Sequence, residues 1–88
     1  MTYTVTTKNN VLTESQSILA DKYGSLFLKN IGTDAVMIND NIPLSPGSSF
    51  SFDNQPYVVI AENTIIRFMG NTSVQKLLVI KSYYKEVK

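Results

Sequence analysis

Eighty-eight residues are too few for two independent cores, so the chain is read as one domain. It has no Cys, no His and no Trp, which removes disulfides, most zinc sites, the usual general base and the best nucleophile. Eight basic residues against seven acidic leave a net charge of +1, without the basic excess that nucleic-acid binders use to displace counterions, so nucleic acid is not an expected partner.

The opening "MTYTVTTKNN" carries neither a basic region nor an apolar run of the signal-peptide kind, and no apolar run approaches the ~20 residues that cross a bilayer. The expectation is therefore a soluble chain with no membrane partner, in which the sequon Asn71-Thr72-Ser73 is coincidental. Thr2 to Thr7 alternates Tyr3 and Val5 with threonines and reads as a strand with one polar face. Lys8 to Gln16 is polar and irregular, with Val11 and Leu12 as anchors, and Ser17 to Tyr23 fits either a strand or one helical turn. From Ser25 the alternation sharpens: Leu26 and Leu28 point one way, Phe27 and Lys29 the other.

Asn30 to Asp34 makes a turn, with Gly32 available for positive φ, and Ala35 to Ile38 is the return strand. After Asn39-Asp40-Asn41, the pair Ile42 and Leu44 straddles Pro43, which confines that piece to an edge or a corner. Ser45-Pro46-Gly47 has the type II pattern, with Pro second and Gly third. Ser48 to Phe52 alternates serine outward with Phe50 and Phe52 inward. Tyr57 to Ala61, Thr64 to Met69 and Val74 to about Tyr84 complete the strands, the last apolar on both faces at its centre.

Seven to eight short strands without crossover helices predict an all-β fold, a small antiparallel β-sandwich or barrel. The expected organisation is a polar N-terminal segment and docking arm over 1–24 and a sandwich over 25–88. The expected core is Leu26, Leu28, Val36, Ile38, Phe50, Phe52, Val58, Ile60, Ile66, Phe68, Leu78 and Ile80. A domain this small buries only about 60–65% of its unfolded surface, and without disulfides it gains most from neighbouring subunits.

Chemistry has little to stand on, so no enzyme and no cofactor is expected. Asp34, Asp40 and Asp53 sit in predicted turns, where Asx side chains bond their own backbone. The oxygen-rich run Asn39-Asp40-Asn41, with Asp53 and Asn54, lacks the spacing of a calcium loop and reads as turn. The informative residues are outward and apolar. Tyr83 and Tyr84 are neighbours on one strand and must face opposite ways, while Phe27, Ile65 and Val79 oppose the inward set. With Tyr3 and Val5 these seven are the candidate interface residues, because exposed Tyr and aliphatic side chains on several strands imply a second face covered by another sheet or another chain.

Residues 28 to 52 read "LKNIGTDAVMINDNIPLSPGSSFSF". The pattern resembles the "N-x-G-x-x-x-V-x-I-N … L-x-P-G-x-S" signature of small β-sandwich proteins among tailed-phage virion components. Asn30, Gly32, Val36, Ile38, Leu44, Pro46, Gly47 and Ser49 carry the match, over about a third of the chain. The resemblance implies a bacteriophage structural protein of the capsid-decoration, head-fibre or connector kind, present in the virion and assembled in the host cytoplasm. Its partners would be itself, as a homo-oligomer, and other virion proteins such as the major capsid protein. The alternative is a carbohydrate-recognising module that stacks sugar on Tyr83 or Tyr84, or a small protein that binds one host target.

Overall fold

A computed structural model describes residues 2–70 and 74–87; the sequon Asn71-Thr72-Ser73 lies outside these. Eight strands carry the fold: β1 (Thr2–Leu12), β2 (Gln16–Ile18), β3 (Ser25–Asn30), β4 (Val36–Ile38), β5 (Ile42–Leu44), β6 (Ser49–Phe52), β7 (Thr64–Phe68) and β8 (Leu77–Val87). No helix occurs among the described residues. Sheet I has the order β1-β8-β3-β6 and sheet II the order β2-β7-β4-β5, and all pairings are antiparallel. Their inner faces enclose one core, the arrangement of a small β-sandwich.

The alternation expected for β3, β4, β6 and β7 holds. Leu26 and Leu28, Val36 and Ile38, and Ile66 and Phe68 are buried, with Phe50, Phe52 and Ile60 packed partly buried against them. The Pro43 strand is an edge of sheet II, where its missing N–H costs no ladder bond. Gly47 has φ +84°, and the Ser48 amide closes on the Ser45 carbonyl at 2.9 Å, as a type II corner requires.

Three expectations are corrected. The segment 1–24 is no separate arm: β1 pairs with β8 along its full length, β2 pairs with β7, and Leu12, Ile18 and Tyr23 enter the core. Polar composition misled there because an edge strand of a two-layer fold buries few side chains. The segment Tyr57–Ala61 is not a strand. The Val58 amide closes a turn on the Gln55 carbonyl and the Ile60 amide reaches the Tyr23 carbonyl, so no ladder forms and Val58 is exposed. The phase of the last strand is reversed: Leu77 and Val79 are in the core, Leu78 and Ile80 on the far side. Leu28 lies opposite Val79 and Asn30 opposite Leu77, and paired residues share a face, so the inward Leu28 forces Val79 inward.

The stretch 28–48 is welded by one side chain. Asn30 is fully buried, and its amide donates to the carbonyls of Asp34 at 2.6 Å and Leu44 at 3.0 Å. Its Oδ1 accepts from the Gly32 amide at 3.1 Å, and its own backbone exchanges bonds with Gly47 and Ser48. A Cβ on Gly32 would stand 2.6 Å from the Val74 carbonyl oxygen, so this turn accepts no side chain there. Close approach is the reason for this glycine. The left-handed residues of the next turn are Asn39 and Asp40, which with the Asn41-to-Ile38 bond make a type I′ hairpin.

Candidate interaction surface

Strand pairing sorts the outward residues of sheet I into rows. Val11, Leu78 and Lys29 are neighbours across three strands; Asn9, Ile80, Phe27 and Ser51 form the next row; then Thr7, Ser82 and Ser25; then Val5 and Tyr84; then Tyr3 and Glu86. Sheet II covers the opposite face; on this one Ser25 is buried, its hydroxyl reached by the Asn54 amide at 3.4 Å and lying 3.1 Å from the Tyr84 hydroxyl, and the rest is partly open. Phe27, Leu78, Ile80, Tyr3 and Tyr84 are half-buried by their neighbours, while Val11 and Val5 are 43% and 57% exposed. Lys29 and Glu86 are the charged residues that these strands turn outward.

Beyond Ser82, β3 has ended, and β1 and β8 continue alone as a two-stranded ribbon. The ribbon contributes to the elongated outline of 49 × 19 × 17 Å. Its inner face differs from its outer one. Just below its base, still within the sheet, Lys8 and Lys81 lie directly opposite each other on the inner face, a like-charge pair that each lysine relieves by resting over a tyrosine ring, Lys8 at 4.9 Å from Tyr83 and Lys81 at 5.5 Å from Tyr23. The Tyr83 hydroxyl bonds Asp21 at 3.1 Å, and its ring meets that of Tyr23 edge-on. Burial, then the Asp21 carboxylate, push the Tyr83 pKa above 10.0. Burial raises Tyr23 as well, with Thr64 pulling the other way; the Tyr23 hydroxyl nevertheless has no well-shaped hydrogen bond.

The seven candidate interface residues therefore separate. Tyr3, Val5, Phe27 and Tyr84 converge on the outer face of sheet I. Ile65 projects from the outside of sheet II, beside Arg67 and its 2.9 Å ion pair with Asp40. Tyr83 lies on the inner side of the ribbon, and Val79, 1% exposed, belongs to the core and is unavailable for contact. Sequence reasoning passed over Val11, Leu78 and Ile80, whose membership follows once the phase of β8 is known. Tyr84 is further fixed by a 3.1 Å bond between its hydroxyl and Ser25, and its ring packs over Gly24, where a Cβ would stand 2.8 Å from it.

Two grooves remain. One, of about 390 Å³, has Leu12, Ile18 and Val79 in its wall and Asn10, Asp21 and Lys81 among its polar groups. The other, about 240 Å³, gathers Asn39, Asp53, Asn54, Glu62 and Asn63 around Phe52. The oxygen-rich residues singled out in the sequence thus meet in part, without Asp40, which is held by Arg67. Much of their bonding capacity is already used: Asn39 Oδ1 accepts from Ile65, Asn63 Oδ1 from Ala20, and Asn54 donates to Gly24.

Comparison with protein-family models, with curated proteins and with solved structures returned no match to this chain.

Proposed function

We propose that this protein is a structural subunit that works by assembly, docking on itself and on a larger protein assembly rather than carrying out a reaction. The partly open apolar face of sheet I carries the reading. Leu78, Ile80, Phe27 and Val5 lie on neighbouring strands, with Lys29, Glu86 and the Ser51-bonded Asp53 at the margins, a composition closer to an interface centre than to a solvated sheet face. The Asn-x-Gly and Pro-Gly corner, which resembles that of small phage sandwiches, supports the narrower form: an auxiliary or decoration-type subunit of a virion. Antibody against this chain should label particles purified by density gradient from cells producing the phage that encodes it, at a fixed copy number per particle. Recovery solely in particle-free fractions overturns the virion reading.

A second reading, a small polar-ligand or carbohydrate module, has the 240 Å³ groove in its favour, because Phe52 offers an apolar wall beside three asparagines and two carboxylates. Of the two platforms the sequence suggested, Tyr83 has its ring engaged by Lys8 and Tyr23, and Tyr84 packs its ring over Gly24. Selective signal on a glycan array that is lost in Phe52→Ala would favour the module; a blank array would favour the subunit.

A further inference from the structure

We infer that the 390 Å³ groove beside β2 binds a small carboxylic acid with an apolar tail, its tail inward and its carboxylate at the lysine pair Lys8 and Lys81. The site goes beyond the assembly reading and stands or falls apart from it. The groove exists because the sandwich is open on one side. β1 and β2 are the edge strands of sheets I and II, and the short link 13–15 joins them. Between them the inner side of sheet I is left without a full cover, and residues 16–21 form the opposite wall.

The paired strands of sheet I grade this inner side from aliphatic to cationic. Leu12 lies opposite Leu77, Asn10 opposite Val79, and Lys8 opposite Lys81. Two rows, or about 14 Å along the strands, separate the aliphatic end from the lysines. Ile18 and the exposed Leu19 add apolar surface from the other wall. A medium-chain acid such as octanoate matches that length and that order of surfaces.

Charge selects an anion. Like charges directly opposite on paired strands repel, and the two tyrosine rings offset this only in part. Among the described residues no carboxylate oxygen lies within 4.0 Å of either ammonium. Asp21, the acid of the groove wall, accepts from the Tyr83 hydroxyl at 3.1 Å. Lys85, two rows beyond Lys81, has the same sign as the pair, and Glu14, Lys22 and Glu62 do not line the groove. Two cations against one hydrogen-bonded carboxylate leave room for a single negative charge.

The wall also offers a donor. The Asn39 amide donates to the Ile65 carbonyl at 2.9 Å, so the backbone groups of Ile65 point towards β4. Antiparallel alternation then pairs Thr64 and Ile66 with Ile18 and Gln16, and leaves the N–H and C=O of Ser17 on the free edge of β2. Ser17 lines the groove.

Amide NMR titration of the full chain with sodium octanoate tests the site. Shifts should saturate at Ser17, Ile18, Val79 and Lys81, with a dissociation constant of about a millimolar or tighter. Acetate, which lacks the tail, and octylammonium, which has the wrong charge, should each bind about tenfold more weakly or worse. Lys81→Gln, checked for wild-type circular dichroism, should weaken octanoate by about three- to tenfold. Asp21→Asn keeps an acceptor for Tyr83 and should tighten it by about two- to threefold. Absence of saturation overturns the inference, as does octylammonium binding as well as octanoate, indifference to Lys81→Gln, or shifts centred on the Phe52 groove. Binding to phosphatidylglycerol vesicles without any response to octanoate overturns it too, by making this side a membrane contact.

Discussion

At one end of the molecule, Asn30 ties two turns and a corner together with its side chain and backbone, and Gly32 packs against the chain entering β8 with no room for a methyl group. At the other end, residues 2–6 of β1 and 83–87 of β8 pair only with each other, and a two-stranded ribbon in water is marginal by itself. The corner satisfies its polar groups internally and excludes solvent. The ribbon and the sheet face behind it leave aliphatic and tyrosyl surface open. A domain whose whole margin is about 5–15 kcal/mol thus concentrates its internal ties in the corner and leaves the ribbon the less anchored region.

The largest expected effect falls on the corner. Asn30→Ala strands two buried carbonyls and the Gly32 amide, and should cost about 3 kcal/mol or more in denaturant unfolding. A loss under about 1 kcal/mol would break the contrast. Next, Val79→Ala should cost about 2 kcal/mol as a core truncation, whereas Val5→Ala, in the ribbon, should fall within about 0.5 kcal/mol of wild type. Equal losses would mean that the ribbon bears load like the core.

Tyr23, where the ribbon meets the core, sharpens the boundary. Its hydroxyl is buried without a well-shaped partner, so Tyr23→Phe should raise stability by about 1 kcal/mol in thermal or urea unfolding. The smallest effect concerns pH. Tyr83 has its pKa raised by burial and by Asp21, so the folded chain holds this proton more tightly than the unfolded one. The associated stability is fully present below the unfolded value of 10.0 and declines as pH rises through 10 towards the folded value. Tyr83→Phe should flatten that alkaline decline, and an unchanged slope would count against the Asp21 contact.

The inward and outward positions of β3, β4, β6 and β7 were legible because each alternates apolar with polar residues. So was the Pro-Gly corner, whose conformation its two residues dictate. Leu77-Leu78-Val79-Ile80 has no alternation, and nothing local distinguishes its two phases; Leu28 across the ladder makes the choice. Tyr57-Val58-Val59 has strand composition, yet Pro56 opens a turn and no neighbouring edge receives its amides. Of the candidate surface, Tyr3, Val5, Phe27 and Tyr84 could be named from outward phase alone. Val11, Leu78 and Ile80 required the register between strands distant in sequence.

The position of β8 constrains how the chain acquires its structure. It is the last strand along the chain, yet it sits between β1 and β3 and supplies Leu77 and Val79 to the interior. Until it emerges from the ribosome, sheet I has no middle, and β1 waits with both edges unpaired more than sixty residues from its partner. Folding is therefore expected to be cooperative, late and governed by long-range closure, on the millisecond-to-second scale of topologies rich in distant pairings.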